Sequence, residues 1–427
     1  MPLPPSWLRR LTIFALLLRL LAALLWTVAL PRWGYGTPPE LAGYVMSDAY
    51  TRDTAAWKLA HSGRPLLDAF GYSDAADQYG GLLFLLAAVY RLAGTAAPAP
   101  LLTAALMAVF SSLAVPLGWA FARRAFDART ARWTAWGLAL YPEAVLLGST
   151  QMRAALAIPL AALGLWGAAL AAQERSRRGW LWLGVSFLLA LPLSPPVAFT
   201  LLTASLLAFL ALDDWRVLRH PAARWGLGGA GLVFVLILWL GRGQTPLDAL
   251  LFWLRKAAQY QGYLSKQASG WMQRTFRVLP SWAHLPFLLF YGLLRPLLPA
   301  AILGKGAPIW WGIAVWRALG WTVLLAGLFL AAVRVALRRL WTQLPGVLSL
   351  AVWGGALVAS YRGGGDLWDN PRYRAVLAVP QVALAAWGFL EQRRHPSPWV
   401  RRLLSGAALG ALWLFPWYMR RYTPLDW

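Results

Sequence analysis

The stretch YVMSDAYTRDTAAWKLAHSG, residues 44–63, sets two aspartates, Asp48 and Asp53, in a chain that is 59% hydrophobic. Acids are scarce, sixteen in 427 residues, yet six of them (Glu40, Asp48, Asp53, Asp68, Asp74 and Asp77) fall between positions 32 and 78. A carboxylate held beside an acceptor hydroxyl can take its proton as the oxygen attacks, and a cluster of this kind could supply that chemistry. Tyr50, Thr54 and Trp57 recur at helical spacing and Gly63 offers a stop, so a short helix starting near Asp48 is expected. Asp53 lies roughly 140° around that helix from Asp48, which makes the two a poor ready-made metal pair. Two readings of Asp48 stand: an N-cap accepting backbone N–H groups, or a reactive base. Asp53, with Arg52 and Lys58 close by, reads as a solvated ion pair that orders the loop.

The elements that carry this stretch belong to a membrane protein. A mean hydropathy of +0.52, with apolar runs about twenty residues long, matches the thickness of a bilayer core. The net charge of +24 sits in short arginine clusters between apolar runs, as expected of cytoplasmic loops facing anionic lipid, and nucleic acid is not expected as a partner. The chain has no cysteine, and its four histidines show no HxxxH spacing, so a divalent metal, if used, would rely on carboxylates. RRAFDARTAR (123–132), ERSRR (174–178), DDWRVLRHPAAR (213–224), RVALRR (334–339) and EQRRH (391–395) are all expected on the cytoplasmic side. Parity then gives an all-α polytopic protein with about eleven spans, near 11–31, 98–122, 131–149, 152–172, 179–193, 195–212, 225–241, 309–333, 344–361, 374–390 and 402–418. Two further apolar segments, 80–94 and 284–303, are too short or too broken by Pro286, Pro296 and Pro299 to cross. They read as juxtamembrane or re-entrant helices on the outer face. The N-terminus is expected in the cytoplasm. The outer face receives the 32–97 loop, the turn at Ser149–Met152, the 242–308 segment and the 361–374 loop. The chain thus divides into a core at 1–241, an outer amphipathic segment at 242–308, and C-terminal helices at 309–427.

In order along the chain stand SDAY (47–50), LAHSG (59–63), a short apolar helix closing on YRLAG (90–94), and a long span ending in ARRAF (122–126). This order resembles the glycosyltransferase-C superfamily, nearest to its protein O-mannosyltransferase and aminoarabinose-transferase branch. Two positions depart from that pattern: Tyr79-Gly80-Gly81 replaces a Lys-Pro-Pro, and Ala49 stands where a second acid is expected. The resemblance implies an inverting enzyme of the plasma membrane that takes a sugar from a polyprenyl-phosphate carrier and passes it to a lipid, glycan or protein at the outer face. It also implies that Asp48 is the base, with Asp53, Asp77 and Tyr79 in the substrate site.

A lipid phosphate leaving group needs a cation to meet its developing charge. Arg153 in STQMRAAL and Arg372 and Arg374 in WDNPRYR, a turn stiffened by Pro371, are the candidates on the same face. The alternative for Arg372 and Arg374 is snorkelling at a helix end. Glu143 within a span calls for a partner, with Arg19 or Arg153 as candidates, while Arg317 has none assigned. Rival functions are a transporter or flippase of lipid-linked saccharide, a non-catalytic partner in an envelope polysaccharide machine, and an O-antigen ligase or polymerase. The first would place ionisable groups deep in several spans and show repeat symmetry; here the acids gather in one outer loop.

Overall fold

In a computed structural model the chain is all-helical. The structure describes residues 5–71, 77–221, 270–298, 300–303, 306–363 and 370–419. The expected span at 225–241 and residues 242–269 of the 242–308 segment lie outside them. The first half runs α1 (Ser6–Trp33), α2 (Pro38–Leu41), α3 (Ser47–His61), a 3-10 turn (Leu66–Phe70), α4 (Gly81–Ala93), α5 (Pro100–Ser112), α6 (Ala114–Ala125), α7 (Ala128–Leu140), α8 (Pro142–Gly148), α9 (Ala154–Glu174), α10 (Arg177–Ala190) and α11 (Pro195–Leu212). The second half adds α12 (Gly270–Val278), α13 (Ser281–Leu294), α14 (Ala300–Leu303), α15 (Pro308–Arg338), α16 (Leu344–Arg362), α17 (Asn370–Ala375), α18 (Ala378–Arg394) and α19 (Pro398–Met419). Among the described residues six stretches are long and apolar enough to cross a membrane: Ser6–Trp33, Pro100–Ala125, Ala154–Glu174, Pro195–Leu212, Pro308–Arg338 and Leu344–Arg362.

Contacts divide the chain into two compact units. The first holds Met1–Phe209, Pro296–Val352 and Ala375–Trp427; the second holds Leu210–Arg295 and Trp353–Arg374. In the first unit α9 is apolar on every side and almost wholly buried, as a central helix should be. Small residues let α10 come close to it: a side chain on Gly179 would meet the Ala171 backbone at 2.3 Å. A proline splits the span expected at 131–149, because the ring of Pro142 suits the first turn of a new helix and Tyr141 turns out of helical conformation before it. Four of the basic clusters come together at one end of this bundle. Arg124 pairs with Glu174 at 2.7 Å, Arg394 with Asp127 at 2.7 Å, and Arg338 with Glu391. Arg132 over Trp7 brings the start of α1 to that same end.

Within the second unit Tyr291 and Leu288 of α13 pack with Met272 of α12. Gly292 lies so close to Ser360 that a side chain there would meet its Cβ at 2.9 Å. Here a sequence expectation fails. Pro286 sits inside α13 without ending it, and the helix stops only at Arg295, whose extended backbone precedes Pro296.

Candidate functional site

α3 begins at Ser47, one residue before Asp48, and its N-cap is Met46, which offers no side-chain bond. Asp48 is therefore inside the first turn and not the cap, in reach of the field of the helix N-terminus. Its side chain is half-exposed. The flanking residues fasten the motif: Ala49 is fully buried, and the Tyr50 ring packs edge-on against Tyr44 at 5.4 Å. An acid at position 49 would point its carboxylate into packed core, which accounts physically for the alanine.

Asp53 corrects the solvated ion-pair reading, since it is wholly buried. The hydroxyls of Tyr44 and Tyr90 both donate to its Oδ2, each at 2.5 Å. Burial pushes the Asp53 carboxyl above its ordinary value, opposed by the hydroxyls of Tyr44, Tyr90 and Thr103. Burial, followed by the adjacent Asp53 charge, pushes both tyrosine hydroxyls up as well, so they stay protonated and remain donors.

Asp77 is the hub of the arrangement. Arg153 donates to Asp77 Oδ1 through Nε at 3.0 Å and also through Nη2, and Arg52 Nε stands 3.7 Å from the same oxygen. Asp77 Oδ2 accepts the Leu83 backbone N–H at 3.0 Å, capping the start of α4. That start explains the departure at Tyr79-Gly80-Gly81. Gly80 has φ +78°, and a side chain on it would meet Ala69 O at 2.4 Å; one on Gly81 would meet Pro192 O at 2.3 Å. Gly81 N–H donates to that same Pro192 oxygen at 3.0 Å. Tyr79 lies under the Arg153 guanidinium, 4.8 Å from ring centroid to Cζ.

Arg52 also donates to Gln151 O at 2.9 Å, and Gln151 donates to Thr103 Oγ1 at 2.9 Å. The turn at 149–152, the start of α9 and the acidic segment thus form one polar cluster over the apolar patch of Leu82, Leu83, Leu86, Tyr90 and Met107. Asp53, Asp77, Tyr79 and Arg153 all lie in it. Asp53 and Asp77, expected to bind substrate, have buried carboxylates that accept from the protein's own donors. Arg52, Tyr44, Tyr90 and Gln151 were not expected. Tyr90 alone left a signal, sharing a helix face with Leu83 and Leu86 at spacings of seven and four.

Arg372 and Arg374 belong to the second unit. The expected proline-stiffened turn is a short helix, α17, from Asn370 onward. Arg374 is buried and donates to Arg295 O at 2.6 Å, while Arg372 lies over Tyr373, 5.1 Å from its ring centroid. Glu143 finds neither Arg19 nor Arg153. Its partner is Arg317, whose Nε and Nη2 reach the two carboxylate oxygens at 2.6 and 3.3 Å. Arg19 donates to Ser111 Oγ and to the carbonyls of Ala15 and Leu138.

The donor set does not suit a tightly held cation. Among the described residues no three of His, Asp and Glu gather in one place. Asp77 is already matched by two guanidinium groups.

Residues 81–239 match the model of the dolichyl-phosphate-mannose-protein mannosyltransferase family. This bears out the resemblance to the glycosyltransferase-C superfamily, and the match starts just after Asp77. No curated protein matches the chain. Similar solved structures come from Archaeoglobus fulgidus. One is the archaeal oligosaccharyltransferase AglB in complex with an inhibitory peptide and a dolichol-phosphate (13% identity, 98% of this chain, 56% of that one, TM-score 0.43). Another is the oligosaccharyltransferase in complex with Zn and sulfate (16% identity, 97% and 52%, TM-score 0.45), and a third its apo form (15% identity, 93% and 52%, TM-score 0.39). The chain spans about half the length of these proteins.

Proposed function

We propose that this protein is a membrane glycosyltransferase that takes a sugar from a polyprenyl-phosphate carrier and passes it, with inversion, to an acceptor hydroxyl at the outer face. The observation that carries the reading is a contrast among three acids of the acidic segment. Asp53 and Asp77 are buried against tyrosines, arginines and a helix start, whereas Asp48, in the first turn of the helix that carries Asp53, is only half-buried. The matched family's name supports the donor class, a lipid-phosphate sugar.

In the proposed step Asp48 accepts the acceptor's proton as its oxygen forms a bond to the anomeric carbon. The bond from that carbon to the carrier phosphate breaks, and the phosphate leaves with the electron pair. Arg153 meets this charge. Asp77 takes its Nε and Nη2, and the side chain remains about a quarter exposed (24%), so the Nη1 edge is the one turned to a phosphate. Asp77 and Tyr79 hold the guanidinium in place, and Arg52 helps to fix Asp77.

The test is Asp48→Asn, which keeps size and most hydrogen bonding but removes the proton-accepting charge. In proteoliposomes supplied with polyprenyl-phosphate sugars, transfer should fall about 100-fold while the melting temperature holds. Near-normal transfer would reject Asp48 as the base.

A further inference from the structure

At the basic end of the first unit a cavity of about 740 Å³ opens between the start of α1, the end of α6 and the first turns of α7. Three arginines line it, Arg123, Arg129 and Arg132, with no carboxylate among the lining residues. Trp119 and Trp7 form its apolar wall. They meet edge to face at 6.4 Å and carry Arg123 and Arg132 over their rings at 5.4 and 5.7 Å. Three other arginines at this end are paired with acids: Arg124 with Glu174, Arg394 with Asp127 and Arg338 with Glu391. Asp127, next to the cavity in sequence, spends one oxygen on Arg394 and the other on the Thr130 backbone N–H. Among the described residues no acid comes within ion-pair distance of Arg123, Arg129 or Arg132.

A second cavity, a groove of about 470 Å³, continues from the first, and Trp133 and Trp136 line both. The groove follows α7 from Trp133 to Leu140, roughly 10 Å at 1.5 Å per residue, and goes on to Pro142 at the start of α8, between α15 and α18. Its walls are apolar apart from Tyr141 and Arg393, and Leu140, Leu319 and Val323 stand about half exposed along it. A cationic pocket running directly into an apolar channel of this length has the chemistry of one molecule with a phosphate head and a hydrocarbon tail.

From this we infer a seat for an anionic phospholipid, its phosphate among Arg123, Arg129 and Arg132 and one acyl chain along the α7–α15–α18 groove. Nothing in the proposed transfer reaction uses these residues. A soluble phosphate would satisfy the arginines but leave the groove empty, and a zwitterionic lipid would fill the groove but bring its own cation to the arginines. The charge distribution assigns the seat to the cytoplasmic leaflet, where anionic lipids are drawn to basic clusters.

Native mass spectrometry of the full chain, released from nanodiscs of equal phosphatidylglycerol and phosphatidylcholine, tests the inference. Phosphatidylglycerol should be retained selectively. Arg129→Gln together with Arg132→Gln should weaken that retention about thirtyfold, from two lost charges near a lipid surface. Arg9→Gln with Arg10→Gln, an exposed basic pair outside the cavity, should leave it unchanged. Val323→Trp, which fills the groove and removes no charge, should weaken retention of long-chain phosphatidylglycerol about tenfold. Equal retention of the two lipids by the unmodified chain would overturn the proposal. So would an equal loss in the Arg9 and Arg10 variant, unchanged retention in Val323→Trp, or displacement by glycerol 3-phosphate as effective as by phosphatidylglycerol.

Discussion

Asp53 is a charge placed where burial works against it, and its consequence is a pH dependence of stability. The folded carboxyl holds its proton to higher pH than an unfolded aspartate does. Between the two values the folded state therefore binds more protons, and stability falls as pH rises through that window. The contribution is complete below the unfolded value and lost above the folded one. Unfolding temperatures of the wild type and Asp53→Asn in detergent, compared across the acidic range, should show the wild type gaining on the variant as pH falls. A difference constant with pH would mean that the two tyrosine bonds fully offset burial. This environment was not legible along the chain, because the nearest charges, Arg52 and Lys58, are not the partners. Arg52 reaches across to Gln151 and Asp77, and Asp53 is satisfied by Tyr90, thirty-seven positions away. Neighbours in sequence sit on successive faces of a helix, so only the fold decides which of them meet.

Helices in this protein are fastened to one another by buried polar contacts, one of them the ion pair of Glu143 of α8 with Arg317 of α15. Both side chains are almost fully buried, so removing one leaves the other charged and unpaired. Glu143→Gln should cost about 3–5 kcal/mol, read as a large drop in unfolding temperature. Glu143→Leu with Arg317→Met should recover most of it, since a well-packed apolar pair can replace a buried ion pair. A double variant no better than the single one would show that the pair does more than neutralise itself. The start of α4 is a second fastening. Gly80→Ala would force a side chain into left-handed backbone and against Ala69 O, a cost of about 1–3 kcal/mol. Because Asp77 caps the same turn, Arg153 should lose its place too, and transfer should fall further than stability alone explains. α3 and the apolar helix at 80–94 were legible from periodicity and length, and their observed bounds lie within a few residues of expectation. The break at Tyr141 and the continuation through Pro286 were not. A proline is tolerated or disruptive according to whether the first turn or the interior of a helix receives it, and neighbouring helices decide how much distortion is borne.

At the scale of the whole molecule, the question is which segments cross the bilayer. α1 starts at the basic end of the first unit, where Arg132 covers Trp7, and α6 ends there, where Arg124 meets Glu174. α1 and the α5–α6 stretch are each long enough to span, so residues 34–99 begin and end at the opposite end. α4 is then expected to leave and return to one side. Its own contacts agree: Trp57 of α3 donates to Thr95 O just beyond it at 2.9 Å, and Arg91 donates back to Arg64 O at 2.7 Å. With thirteen residues, α4 measures about 20 Å, short of the roughly 30 Å hydrocarbon core. The cysteine-free chain makes this directly testable. Single cysteines at Ser62, before α4, and at Ala96, after it, both exposed, should react with a membrane-impermeant maleimide added to intact cells. A cysteine at Arg178, beside the basic clusters, should react only after the membrane is opened. Labelling of Ser62→Cys without Ala96→Cys would mean that α4 crosses, would put the arginines of 123–132 outside, and would take the proposed active site apart from its second wall at Arg153.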